Sequence, residues 1–467
     1  MNTPPANARR VVIIGGGITG LTAAWRLQNA GVEYTLLEAS ARLGGKLLTE
    51  QHDGFVMEMG ADAMLTRKPW ALALAKELGL ADRVLGVTKR AVGTYVLHHG
   101  KPVPLPAGLS LLVPSRWGPF LRSPLFTPWG KLRAAMDLTI PRRTATADET
   151  LANFIRRRLG QEMLDKVAAP MLAGVFNGDP ERQSIQATFP QFPAMEREHG
   201  SLIRAVRAKQ ADSATASTDP PFFSFPNGTQ ELVDALASRL NGVVRVNTAV
   251  EAIERSSGGY RVRIVNGEPI ECDGVIIATP AAVAAKVLAS VAPEAADVLK
   301  AFGHSGIGTA YLAYRREDVP HALDGYGVVI PRNEGRRIDG MMWSSSKWIG
   351  RAPQTHALIR VFFGGPNTRP MLTQPDDAII TMAREELAGS LGVRAAPEFT
   401  RVYRWPDGYP QYELGHLDRV AAAEAGLPNG VALAGCAYRG VGVPDCVRQG
   451  SEAAARLVAH LDAISAT

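Results

Sequence analysis

The chain has no run of about eighteen apolar residues, so no helix that spans a bilayer is expected. Met1 to Arg10 holds two prolines and two arginines but no apolar core, which speaks against a secretory signal. Cysteine is scarce. Cys272, Cys436 and Cys446 are odd in number and lack metal-ligand spacing. A disulfide framework is thereby excluded, a reducing compartment fits, and no metal is expected. The net charge is +6, but no nucleic-acid motif accompanies it, so nucleic acid is not an expected partner. No internal repeat is evident. At 467 residues, 46% hydrophobic and 21% charged, the chain is of ordinary globular composition and suits two or three domains.

What is present starts at once. Val11-Val-Ile-Ile14 is a β-branched run that reads as a buried strand. Gly15-Gly16-Gly17-Ile18-Thr19-Gly20 then turns into a helix with Leu21, Ala24 and Leu27 on one side. In such a unit the first glycine of the spaced set permits the turn and the second admits a pyrophosphate. The third lets helix and strand pack, and the free N–H groups of the helix start attract the phosphates. A second strand, Tyr34 to Leu37, ends at Glu38, placed to bond an adenosine ribose. NAD and FAD both use this unit. The extension Arg42-Leu-Gly44-Gly45-Lys46 points to FAD, because adjacent glycines let the chain pass close to the cofactor phosphates. No second glycine fingerprint follows a strand, so electrons are expected to come from an oxidisable substrate and leave to an acceptor such as oxygen.

The expected fold is α/β, with a discontinuous Rossmann-like domain formed by residues 1–86, 226–289 and 401–467. Residues 87–210 are expected to be a mostly helical cover, 211–225 a mobile loop, and 290–400 a mixed-sheet substrate domain. In the last segment Val431 to Ala434 reads as a strand and Cys446 to Leu461 as a helix. With Pro444 or Asp445 near its start, that helix would direct its dipole at the flavin, stabilising the reduced ring by about 0.3–2 kcal/mol.

Further segments narrow the reading. They include Asp53-Gly-Phe-Val-Met-Glu-Met-Gly60-Ala61-Asp62, Arg67-Lys68-Pro, and Ala169-Pro-Met-Leu-Ala-Gly174-Val175-Phe-Asn-Gly178-Asp179-Pro. Thr188 to Ile203, Trp405-Pro-x-x-x-Pro410-Gln411-Tyr412, and Tyr438-Arg-Gly-Val-Gly442-Val443-Pro444-Asp445-Cys446 complete the set. Through them the chain resembles, nearly end to end, the porphyrinogen oxidases of haem biosynthesis within the amine-oxidase-like flavoproteins. The resemblance implies a six-electron oxidation of a porphyrinogen, with FAD taking a hydride in each of three rounds and oxygen as acceptor. Such chemistry needs little acid–base machinery, so no catalytic acid or base is assigned. His304 and His416 are read as structural.

By the same resemblance FAD contacts fall to Gly15, Gly16, Gly17, Ile18, Thr19, Gly20, Glu38, Ala39, Arg42, Gly45, Lys46, Gly60, Ala61 and Asp62. Val250, Trp405, Gly435, Gly442, Val443 and Pro444 join them. The flavin is expected to be non-covalent, since no cysteine lies near Trp405. Arg67 or Lys68 would meet a substrate propionate, Gly174 and Val175 would line the pocket, and Trp343 and Phe363 would flank the macrocycle.

The ending Gly442-Val-Pro444-Asp445-Cys446 resembles the bacterial branch that oxidises coproporphyrinogen III, which implies that substrate ahead of protoporphyrinogen IX, and a flavin amine oxidase is the rival class. Residues 116–158 are basic and aromatic. The preferred reading is a helical cover in a cytoplasmic protein, with peripheral membrane contact and product transfer to a ferrochelatase left open.

Overall fold

Apolar residues at four successive strand positions are all buried only if both faces of the strand are covered. The structure, a computed structural model, describes residues 9–90, 93–110, 112–212 and 220–465, and it covers both faces. Arg10–Ile14 is the middle of a five-stranded parallel sheet, between Glu33–Leu37 and Gly274–Ile277, with Val243–Arg245 and Val431–Leu433 at the edges. Val11 and Ile13 pack with the helices Ile18–Asn29 and Val443–Ser465. Val12 and Ile14 pack with Ala281–Leu288 and Pro293–Lys300 on the other face. The chain runs outward in opposite directions from Arg10–Ile14, so a crevice opens beyond the strand ends there, where such sheets bind nucleotides.

A second, seven-stranded sheet lies beside it. Its order is Phe399–Pro410, His304–Arg315, His356–Phe363, Gly340–Trp343, Gly327–Val329, Tyr95–His98, Lys101–Pro104. The pairings are antiparallel except between Gly327–Val329 and Tyr95–His98. Helix Asp376–Leu391 buries Ile379, Met382, Ala383 and Leu387 against one face. The other face looks into the molecule.

The boundaries differ from expectation in three places. Phe399–Pro410 reaches past 401 because it pairs along its length with His304–Ala313, so it belongs to the substrate sheet. The segment 87–210 opens with two strands of that sheet before turning helical. Of the loop expected at 211–225, residues 213–219 lie outside the described residues, while Phe222–Ser224 is a strand between Met64–Leu65 and Leu85–Gly86.

The helical layer explains much of the basic excess. Arg156 pairs with Glu181, and Arg157 with Glu149 and Glu196. Arg158 is fully buried, and its Nε donates to Asp137 Oδ1 at 2.6 Å. Arg133 donates to the carbonyls of Arg156, Arg157 and Arg158, which close the helix Leu151–Arg158. Large apolar side chains are exposed there as well, Leu121, Trp129, Leu132 and Met136, beside the exposed Arg122.

Candidate active site

The crevice at the end of Arg10–Ile14 continues into a cavity of about 1150 Å³ that runs under the seven-stranded sheet. Its first half is backbone. Gly15, Gly17, Ile18 and Thr19 form one wall, and Gly44, Gly45 and Lys46 pass opposite, joined to it by a parallel bridge between Gly17 and Gly44. Gly17 precedes the helix Ile18–Asn29 as N-cap, with no side chain to occupy the free N–H groups. A Cβ on Gly20 would stand 1.9 Å from the Gly15 carbonyl oxygen, whereas one on Gly17 would meet nothing nearer than the Gly45 Cα at 3.9 Å. The third glycine is thus demanded by packing. The second faces open space.

Glu38 stands at the end of the second strand with both oxygens engaged. Oε2 accepts from Gly16 N at 2.7 Å, and Oε1 accepts from Ser40 N and Oγ. The carboxylate therefore braces the glycine turn from the position where a ribose would lie. Ala39, Thr248, Ala249 and Val250 continue the wall, and Gly435, Cys436, Val441, Val443 and Cys446 line it near the start of the long C-terminal helix. Burial pushes the Cys446 thiol up, so it stays protonated. Arg42 turns inward: its guanidinium donates to the carbonyls of Leu43, Gly45 and Leu47 and so fixes the glycine pair. Lys46 reaches the Gly408 carbonyl, and Trp405 Nε1 donates to Met59 O at 2.8 Å.

The second half is apolar with a few charges. Tyr326, Val328, Ile330, Met341, Met342 and Phe362 come from the sheet, and Met171 and Asn177 from the helical layer. Arg332 lies at its edge and pairs with Asp179 of the helical layer at 3.1 Å. Asp339 Oδ2 accepts from Gly365 N and Thr368 Oγ1. Burial pushes the Asp339 carboxyl up, and those two bonds and the charge of Arg332 pull the other way without cancelling it. For Asp62 the balance falls the other way. Burial raises it, but Lys347 at 2.7 Å, the charge of Arg360 and a bond from Trp348 Nε1 outweigh that and hold it below the usual carboxylate range.

Of the residues named from sequence for the cofactor, Gly15, Gly17, Ile18, Thr19, Glu38, Ala39, Arg42, Gly45, Lys46, Gly60, Ala61, Val250, Trp405, Gly435 and Val443 line this one cavity. Gly16, Gly20, Asp62, Gly442 and Pro444 are not among its lining residues. The substrate-side residues land elsewhere. Trp343 and Phe363 are fully buried on the far face of the sheet, against the helix Asp376–Leu391. Side chains alternate along a strand, so their neighbours Met342 and Phe362 face the cavity instead. Arg67 is exposed, and Lys68 is tied to Asp445 at 2.6 Å. Gly174 lies within the helix Ala169–Phe176, where Val175 points outward.

Sequence reasoning missed Arg360, which lines the cavity from the middle of His356–Phe363. A cation inside the apolar run His-Ala-Leu-Ile-Arg-Val-Phe-Phe was the available signal. Among the described residues no cluster of metal-binding side chains occurs, and no helix is long and apolar enough to cross a membrane.

A glycine cradle built to receive a dinucleotide, opening into a large apolar chamber, defines a flavoprotein oxidoreductase. The chain belongs to the flavin containing amine oxidoreductase family, whose model matches residues 18–458. Within it, the chain is 34% identical to the coproporphyrinogen III oxidase of Bacillus subtilis (strain 168), over 97% of this chain and 98% of that protein. It is 29% identical to the chloroplastic protoporphyrinogen oxidase 1 of Spinacia oleracea, over 97% of this chain and 85% of that protein. A solved structure from Exiguobacterium sp. 255-15 superimposes with a TM-score of 0.86 at 30% identity, covering 97% of this chain and 99% of the other.

Proposed function

We propose that this protein is an FAD-dependent porphyrinogen oxidase of haem biosynthesis, using oxygen as acceptor and acting by preference on coproporphyrinogen III. The observation that carries the reading is the continuity of the two half-cavities: a phosphate-sized glycine cradle leads directly into a chamber walled by flat and flexible apolar side chains. Support comes from identity: relatives named coproporphyrinogen III oxidase match at 32–34%, against 28–29% for chloroplastic protoporphyrinogen oxidases over a like share of this chain. Protoporphyrinogen IX is the alternative substrate.

The cradle fits FAD, held without a covalent bond. Gly17 leaves room where a side chain would intrude, and the N–H groups at the start of Ile18–Asn29 face the crevice. When bound, FAD supplies the two-electron acceptor for a hydride from a bridging methylene of the macrocycle. The residues do the rest by placement. Lys46 and Trp405 are fixed by the Gly408 and Met59 carbonyls, so their geometry is set before substrate enters. Met342 and Phe362 exclude water from one side of the chamber and orient a flat ring. No side chain is assigned to take the pyrrole protons, which can leave by tautomerisation.

The protein is read as cytoplasmic. The apolar exposure of Leu121, Trp129, Leu132 and Met136 beside Arg122 and Lys131 supports peripheral contact with a membrane surface, from which product would pass to a ferrochelatase. Liposome sedimentation unchanged by Trp129→Ser and Leu132→Ser would dispose of that contact.

The decisive assay follows porphyrin fluorescence in air after mixing the yellow holoprotein with each porphyrinogen, against an enzyme-free control. A higher kcat/KM with coproporphyrinogen III is expected. Rates no faster than autoxidation with both substrates would overturn the assignment.

A further inference from the structure

Three arginines are buried among the described residues: Arg158, Arg351 and Arg360. Removing a guanidinium from water costs several kcal/mol unless an anion or a full set of acceptors replaces the solvent. Arg158 has Asp137, and Arg351 has Glu58 at 3.3 Å. Arg360 has no carboxylate within ion-pair distance among the described residues. Its Nε donates to Thr309 Oγ1 at 2.8 Å and its Nη2 to Gly60 O at 3.0 Å, both neutral acceptors. Nη1 makes no hydrogen bond to any described residue, and the side chain lines the cavity. The rings of Phe362 and Tyr311, 4.7 and 5.4 Å from Cζ, hold the plane of the guanidinium in place.

Asp62, which feels the charge of Arg360, makes no ion pair with it. Asp62 is already held by Lys347 at 2.7 Å and by Trp348 Nε1 at 3.2 Å. This corner of the cavity therefore contains two cations and one carboxylate. An unmatched positive charge, preorganised and shielded from bulk water, faces the space where the substrate would lie.

We propose that Arg360 is the site that receives a propionate carboxylate of the macrocycle, with Nη1 as the donor directed at it. This rests on the porphyrinogen-oxidase reading of the same cavity. Of the two cations that follow segment 60–62, Arg67 is exposed and Lys68 is bound to Asp445, so neither is free inside the cavity. The rigid fork of Arg360 also selects an anion of carboxylate geometry, which a point charge would not.

The test is binding of the product, coproporphyrin III, to the oxidised holoprotein, followed by fluorescence quenching. It is run beside coproporphyrin III tetramethyl ester in the same detergent-containing buffer. Wild type should prefer the acid, and equal affinity for acid and ester would overturn the proposal without a variant. In Arg360→Gln the Kd for the acid should rise roughly tenfold to a hundredfold, the range of a charge-assisted hydrogen bond. The Kd for the ester should change less than about twofold, within ordinary scatter of such measurements. Arg360→Lys, which keeps the charge without the fork, should fall between.

The flavin absorption spectrum and midpoint potential should not move in either variant. Equal weakening of acid and ester would reduce Arg360 to a shape role. A shifted potential with unchanged coproporphyrin affinity would assign it to the flavin instead. Wild type that binds neither porphyrin would overturn the functional reading itself, a result separable from the others.

Discussion

Gly17→Ala and Gly20→Ala differ by three positions and should fail for opposite reasons. At Gly20 an added Cβ stands 1.9 Å from the Gly15 carbonyl oxygen and 3.3 Å from Ile13 Cγ2. Ordinary contact needs about 3.5 Å, so helix and strand must separate by roughly 1.5 Å. Overpacking of this kind costs on the order of 1–3 kcal/mol, and it should appear in the deflavinated protein. At Gly17 the backbone is extended, with φ −72° and ψ 176°, and the nearest atom to a new Cβ is 3.9 Å away. The polypeptide itself should lose no more than about 1 kcal/mol, the N-cap preference of glycine over alanine.

The methyl would instead occupy the crevice between Gly17 and Gly45, on the path of the pyrophosphate. Thermal melts of deflavinated protein, without FAD and with FAD at about a hundred times the wild-type Kd, separate the two effects. Wild type should gain about 2.7 kcal/mol from the cofactor. Gly17→Ala should start near the wild-type melting temperature and gain almost nothing. Gly20→Ala should start lower. If Gly17→Ala binds FAD with wild-type affinity, the cradle has been placed wrongly.

Further outcomes are expected. Phe363→Ala should lower stability by about 3–5 kcal/mol by opening a cavity in the core, while Phe362→Ala should leave the melting temperature nearly unchanged and raise KM; the reverse pattern would refute the assigned strand faces. Asp137→Ala should destabilise by about 3–5 kcal/mol, because it leaves the buried Arg158 only the longer contact to Glu196 at 3.5 Å; a loss below about 1 kcal/mol by urea denaturation would contradict that. Burial holds the His416 imidazole down to about 4, although its bond to the Tyr438 carbonyl pulls the other way. Its folded value lies below the ordinary 6.5 or so, so the unfolded chain takes the proton first. Stability is full above that value and is lost as pH falls toward 4, by about 2 kcal/mol between pH 7 and pH 5. His416→Gln should flatten this loss in paired urea titrations.

How much of this was legible beforehand depended on how far apart the deciding residues are. The dinucleotide unit could be read because its strand, turn, helix and terminal acid are contiguous, and burial on both faces leaves an unbroken apolar signature at Val11 to Ile14. The cavity-facing side chains of the second sheet could not. Choosing Phe362 over Phe363 requires the face of a strand, which is fixed by pairing with Gly308 and Thr309 more than fifty residues away. Lys68 looked like a free cation because its partner Asp445 is 377 positions distant. Arg42 was expected among the FAD contacts; it lines the cavity, but three carbonyls within its own turn take its donors. The helical layer hid its chemistry differently: a run of three arginines suggests an exposed charge, and Arg158 is among the most deeply buried side chains in the molecule.

The order of strands in the parallel sheet carries a consequence for synthesis. Val431–Leu433 pairs with Val275–Ile277, so more than 150 residues must be made after the inner strand before its neighbour exists. At roughly 5–20 residues per second that is a wait on the order of 8–30 s. During it, one edge of the inner sheet and the apolar surface later covered by Val443–Ser465 stay open on a nascent chain. Gly435, Val443 and Cys446 are also still to come, so the wall of the crevice stays incomplete until the final stretch emerges. Flavin supply can rescue folding only late. Until then this chain depends on whatever shields its unfinished sheet from other unfinished chains.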